Sequence, residues 1–137
     1  MDLTLTPIGH IRSSIKTLDS APKMEDEPGA VRAIVEITPE FASSLNGLKP
    51  GMALELFTWF HLSDRSVTHV HPRGDKSRPK RGVFSTRSPQ RPNPIGLHRV
   101  TLVSIEGARL EVEPLEALDN TPVIDIKPVP QTDPDQR

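Results

Sequence analysis

The sequence predicts an all-β protein, a compact β-barrel with long loops and one short helix, and three observations lead there. Fifteen prolines fall in nearly every part of the 137 residues, which rules out long helices over most of the chain. Several stretches rich in branched or aromatic residues are each bounded by Gly or Pro. Turn signals separate them at about every dozen residues, the spacing of a barrel or a sandwich.

In chain order, strands are expected at 3–12 (LTLTPIGHIR), 30–37 (AVRAIVEI), 52–60 (MALELFTWF) and 100–105 (VTLVSI). Glu106-Gly107 then reads as a hairpin turn into a strand from Arg109 to Val112. The helix is expected over 39–46: Thr38 caps it, Pro39 takes the first helical position, Phe41 and Leu45 share a face, and Gly47 stops it. Residues 19–29 (DSAPKMEDEPG) read as a mobile or ligand-gated loop, and 71–81 (HPRGDKSRPKR) as a long exposed one. Residues 128–137 form a proline-rich polar tail, and with no internal repeat the expectation is a single domain over 1–137.

Cysteine is absent, so neither a disulfide framework nor a thiolate metal site is available. No apolar run exceeds three residues, which leaves no membrane span or signal peptide; the chain is expected to be soluble and cytoplasmic. The formal net charge of −1 hides an uneven distribution. Residues 61–99 hold nine Lys/Arg against two acids, a local excess of +7, while the remainder carries −8. Such a split is the footprint of a site that handles phosphate or another anion.

That charge restricts the chemistry. Four of the five histidines (His61, His69, His71 and His98) lie in the basic segment, where the excess positive charge repels a cation, so no metal site is expected. No G-x-S-x-G elbow is present, and the eight glycines never fall two apart, which excludes a Rossmann fingerprint. What stands out is RGVFSTRSPQRPNPIG, residues 81–96. Arg87 and Arg91 place cationic forks on a backbone stiffened by proline, and Asn93 between two prolines offers both an acceptor and a donor. In LEALDNTPVIDIKP, residues 115–128, Asp125 and Lys127 are spaced to pair across one strand face. Glu116 and Asp119 are loop carboxylates suited to a cationic ligand or a ribose hydroxyl.

RGVFSTRSPQRPNPIGL, followed about twenty residues later by LDNTPVIDIKP and preceded by PIGHIRSS, resembles the TsaA-like family, which includes the TrmO-type tRNA methyltransferases also known as YaeB and VirR. The resemblance implies a β-barrel that binds S-adenosylmethionine without a Rossmann fold, forms a homodimer, and methylates N6 of threonylcarbamoyl-adenosine beside the anticodon of tRNA. By matching motifs it implies cofactor contacts at Pro22, Lys23 and Met24, at Phe60 and His61, at Arg87 and Leu97, and at Pro114, Leu115 and Glu116. Arg73, Arg81, Arg91 and Asn93 are the expected contacts to the tRNA anticodon loop, with no general base identified.

The sequence departs from the family pattern in places: Lys23-Met24 for Arg-Gln, Asn120 for Gly, Val129 for Tyr, and MALELFTWFH for the usual segment before the histidine. Nor is the additional C-terminal domain of longer bacterial members expected here. These departures keep two alternatives open, a methyltransferase acting on another acceptor and a non-catalytic S-adenosylmethionine- or RNA-binding module.

Overall fold

The structure, a computed structural model, describes residues 1–16 and 31–130. Six strands close into an antiparallel barrel: β1 (Gly9–Arg12), β2 (Val31–Ile37), β3 (Ala53–Trp59), β6 (Ile95–Glu106), β7 (Arg109–Leu115) and β8 (Pro122–Pro128). They run around it in the order β1-β2-β7-β6-β3-β8, and a separate two-stranded clip joins β4 (His69–Val70) to β5 (Arg81–Gly82). The expected all-β barrel is thus the fold that forms.

Period-two alternation builds the core. Leu54, Leu56 and Thr58 of β3 point inward and are fully buried, and along β6 so do Gly96, His98, Val100 and Leu102. Ile11, Val35, Leu110, Val112, Leu115 and Val123 fill the same interior. Register shifts at Val31/Ala33, Phe57/Thr58 and Leu102/Ser104 add the local twist that a small closed sheet needs. On the outer wall the side chains pair as ions, as with Glu55 and Arg99 at 3.4 Å, where solvent leaves such pairs little net energy.

Several boundaries differ from expectation. The first strand begins only at Gly9: Pro7 has no amide to donate, and residues 1–7 lie exposed. β6 starts at Ile95 rather than at 100, because the residues directly after the Pro92-Asn93-Pro94 turn signal already pair in full register with β3, Trp59 facing Ile95 and Phe57 facing Leu97. β7 runs past Val112 to Leu115. The helix occupies Pro39–Leu45 as a 3-10 helix, and the Thr38 side chain makes no capping bond; its carbonyl accepts from the Phe41 amide at 2.9 Å instead. The stretch 71–81 is closed at its base by the β4–β5 clip. The expected loop at 19–29 lies outside the described residues, as does most of the 128–137 tail. Among the described residues no helix is long and apolar enough to cross a membrane.

Candidate functional site

Antiparallel order sends alternate connections to opposite ends of the barrel. At one end β1, β3 and β7 finish and β2, β6 and β8 begin. The described residues that leave or enter the barrel there are 13–16, 60–94 and 116–121, which carry or adjoin the motifs singled out in the sequence. The opposite end carries the 3-10 helix and the tight Gly107-Ala108 turn.

Two of the motifs, separated by more than a hundred residues, are bonded directly together. The Ile11 amide donates to the Thr121 carbonyl at 2.9 Å, and the Asn120 and Asp119 amides donate to the carbonyls of Ile11 and Ile15, both at 2.7 Å. Asp119 Oδ1 accepts the Ser13 amide at 3.0 Å, and Oδ2 lies 3.0 Å from Lys16 Nζ. The Ser13 amide, and after it Lys16, hold the Asp119 carboxyl below the usual carboxylate range. Asp119 is therefore engaged by the chain's own N-terminal segment rather than turned toward the basic segment. Asn120 has φ 73°, in the left-handed region where Gly is the default and Asn the commonest substitute, so this departure from the family pattern keeps the turn. Its Oδ1 accepts from Arg12 at 2.9 Å. An open hollow of about 400 Å³ lies here, lined among others by Arg12, Ser13, Lys16, Arg32, Glu111 and Asp119.

The third motif belongs to the excursion 60–94, whose neck is tied by the Phe60 amide donating to the Pro94 carbonyl at 2.8 Å. Its two acids serve local turns. Asp64 accepts the Ser66 hydroxyl at 2.6 Å and amide at 2.8 Å, and Asp75 accepts the Ser77 hydroxyl at 2.6 Å and amide at 3.0 Å. In both, the serine hydroxyl first and the amide second hold the carboxyl below its ordinary value, so both acids stay ionised.

Arg65, which the sequence did not single out, braces the Pro-Asn-Pro turn. Its Nε donates to the Pro92 carbonyl at 2.7 Å, a terminal nitrogen reaches Asn93 Oδ1 at 3.3 Å, and its guanidinium carbon lies 5.1 Å from the centre of the Trp59 ring. Arg91 is half-buried and donates to the carbonyls of Thr86 at 3.1 Å, Ser88 at 3.0 Å and Val83 at 3.2 Å. Three of its five N–H donors are thereby engaged inside the loop. Arg73, with φ 54°, and Arg81 are exposed, as are Arg87 and Asn93.

Phe60 is half-buried, its ring meeting His98 edge-on at 5.9 Å and 80°. His98 Nε2 lies 2.9 Å from Thr58 Oγ1 inside the barrel mouth. A Cβ at Gly96 would stand 2.4 Å from Thr58 Oγ1 and 2.5 Å from Phe60 Cζ, so only glycine lets the ring lie against the β6 backbone. The cluster was legible only as a strand end, because which polar residue turns inward depends on register. His61 is exposed and Leu97 points out of the wall opposite Phe57. Pro114 is exposed, whereas Leu115 is 0% exposed and belongs to the core. Glu116 is half-buried, with Oε2 shielded from solvent. Pro22, Lys23 and Met24 lie outside the described residues. Asp125 Oδ1 accepts the Ile126 amide and Lys127 lies 6.0 Å from the centre of the Phe57 ring; among the described residues they do not pair with each other.

One end of the barrel thus combines cations, carboxylates and an aromatic ring, the donor set that a zwitterionic nucleoside ligand requires.

The family model for the tRNA-methyltransferase O N-terminal domain matches residues 10–134. A Methanothermobacter thermautotrophicus protein described as "Probable S-adenosyl-L-methionine-binding protein" is 43% identical over 93% of this chain and 90% of its own length. The S-adenosyl-L-methionine-binding protein of Archaeoglobus fulgidus is 41% identical over 91% of this chain and 88% of its own. The crystal structure of TrmO from Pseudomonas aeruginosa superposes with a TM-score of 0.76 at 32% identity; it covers all of this chain, which spans 61% of that longer one.

Proposed function

The chain belongs to the tRNA-methyltransferase O N-terminal domain family, and from that premise we propose that it binds S-adenosylmethionine at the motif-bearing end of the barrel and directs its methyl group to tRNA. The observation that carries this is that residues 13–16, 60–94 and 116–121, with both signs of charge and Phe60 among them, share one end of the barrel. When bound, S-adenosylmethionine supplies an electrophilic methyl carbon. Arg87 holds the carboxylate of its amino-acid part, Glu116 the ammonium or ribose, and Phe60 with His61 the purine. Leu97, Pro114, Leu115, and Pro22, Lys23 and Met24 complete the contacts.

The acceptor is N6 of threonylcarbamoyl-adenosine beside the anticodon. That nitrogen is urea-like and more acidic than an unmodified adenine amine, so the protein's task is chiefly to position it for in-line approach. Arg73 and Arg81, with Asn93 and the free donors of Arg91, grip the threonyl carboxylate or a neighbouring phosphate. An anticodon loop suits the chain because its bases are presented without melting a duplex, and the basic segment makes affinity fall steeply with salt. The protein works as a homodimer in the cytoplasm, a state that sedimentation of the purified protein tests.

Isothermal titration with S-adenosylmethionine, with ATP as a decoy, tests the reading. It predicts selective binding that is lost in Arg87→Ala. Failure to bind S-adenosylmethionine, or equal binding of ATP, contradicts it.

A further inference from the structure

Phe84 is 81% exposed, whereas the other three phenylalanines of the chain are half-buried. Its exposure does not come from a loose loop. The adjacent Val83 is 2% exposed, and the Val83 amide donates to the Thr68 carbonyl at 2.9 Å. The Val83 carbonyl accepts from Arg91 at 3.2 Å and from the Thr86 hydroxyl at 2.9 Å, and the Ser85 hydroxyl donates to the Gly82 carbonyl at 2.8 Å. The turn is fixed on both sides of the ring, so a partner that covers it loses little entropy in ordering it. Beside the ring is a hollow of about 380 Å³ lined by Thr68, Gly82, Val83, Ser85 and Pro92 together with Phe84 itself.

The surroundings select the occupant. Lys80 and Arg81 precede the ring, both exposed, within the segment 61–99 that carries the +7 excess. The hollow itself is lined by uncharged residues, but the chain on either side of it carries only cations, with no acid between Asp75 and Glu106, and a protein partner has no chain-long run of negative charge to answer them. A flat apolar group strung on a polyanion matches both features, and an unpaired nucleobase has its face free where a base within a duplex does not.

We propose that Phe84 is a stacking platform for one unpaired base of single-stranded RNA, with Lys80 and Arg81 meeting the adjoining phosphates. The inference rests on the RNA reading given above and names a residue through which that RNA is held. It predicts that the loop, and not the stem, of an RNA hairpin makes the contact.

The test uses a synthetic RNA stem-loop with 2-aminopurine placed at one loop position at a time, and a fully paired RNA of the same composition. Binding is followed for wild type, Phe84→Leu and Phe84→Trp, with thermal melts and S-adenosylmethionine titrations confirming that each is folded. For wild type, 2-aminopurine at one loop position is quenched on binding. Phe84→Leu abolishes that quench and weakens the stem-loop by roughly 5- to 150-fold, the usual worth of one stacked base, without changing the salt slope; Phe84→Trp retains both. Wild-type binding to the stem-loop with Phe84→Leu binding equally well overturns the platform and leaves the RNA reading standing. Absence of any wild-type RNA binding overturns both. A shift of Phe84→Leu from dimer to monomer overturns the proposal by showing that a second copy covers the ring.

Discussion

Replacing Gly96 by alanine tests the geometry of the barrel mouth with the smallest possible change. The added methyl would lie 2.4 Å from Thr58 Oγ1, 2.5 Å from Phe60 Cζ and 2.8 Å from Phe60 Cε2. Phe60 can swing away, but Thr58 is fully buried and engaged with His98 at 2.9 Å. Overpacking of this kind costs about 1–3 kcal/mol, and loss of the Thr58–His98 hydrogen bond adds about 1 kcal/mol. The expected loss is roughly 2–4 kcal/mol, or on the order of 10 °C in Tm for a chain of this size. Urea unfolding measures it, and S-adenosylmethionine titration shows whether displacing Phe60 also weakens the cofactor. Phe60→Leu removes two of the three clashing atoms, so the double variant should be more stable than the sum of the singles by about 0.5–3 kcal/mol. A Gly96→Ala protein within about 0.5 kcal/mol of wild type, or strict additivity with Phe60→Leu, refutes the packing described.

Three further changes probe the supports around the site. Arg91→Ala removes the donors to three loop carbonyls, so amide hydrogen exchange over 83–88 should accelerate while the barrel strands keep their protection; Arg91→Lys should not restore it, because an ammonium lacks the planar fork. Arg65→Ala uncovers Trp59, the only tryptophan of the chain, and should raise its quenching by acrylamide; unchanged quenching would count against the cation–π contact. Asp119 has a folded pKa below its ordinary 3.8, so its stabilisation is fully present above that value and lost as the pH falls through the lower folded one. Asp119→Asn should therefore be less stable than wild type at neutral pH, with the gap closing in acid; a gap independent of pH would show that its bonds to Ser13 and Lys16 do not depend on charge.

The sequence revealed most of the barrel and less of the way its parts meet. Branched and aromatic residues bounded by Gly or Pro mark AVRAIVEI and MALELFTWF as β2 and β3, and one face of each is buried against the core. The first half of β6 is hidden by Pro92-Asn93-Pro94, residues that read as a turn and do bend the chain, immediately before full pairing begins at Ile95. The seven-residue element after Thr38 is recognisable as helical but too short for its α or 3-10 character to be fixed by pattern. At the site, the motifs were visible as unusual strings, but the bonds from Ile11 and Ser13 to Thr121 and Asp119 join segments more than a hundred residues apart, and spacing carries no information about them. Arg91 reads as an anion fork because the carbonyls that accept from it belong to the backbone, which leaves no trace in residue type. Residue type does not mark Arg65 for the same reason: its main partner is the Pro92 carbonyl.

Methyl transfer to tRNA can be followed with S-adenosylmethionine labelled in its methyl group and two tRNA preparations, one carrying N6-threonylcarbamoyl-adenosine beside the anticodon and one lacking it. Label is expected in the modified tRNA alone, located by nuclease digestion to that nucleoside and lost with Arg87→Ala. Protein that binds S-adenosylmethionine yet labels neither tRNA would contradict that transfer and leave the barrel a cofactor-binding module with another acceptor or none.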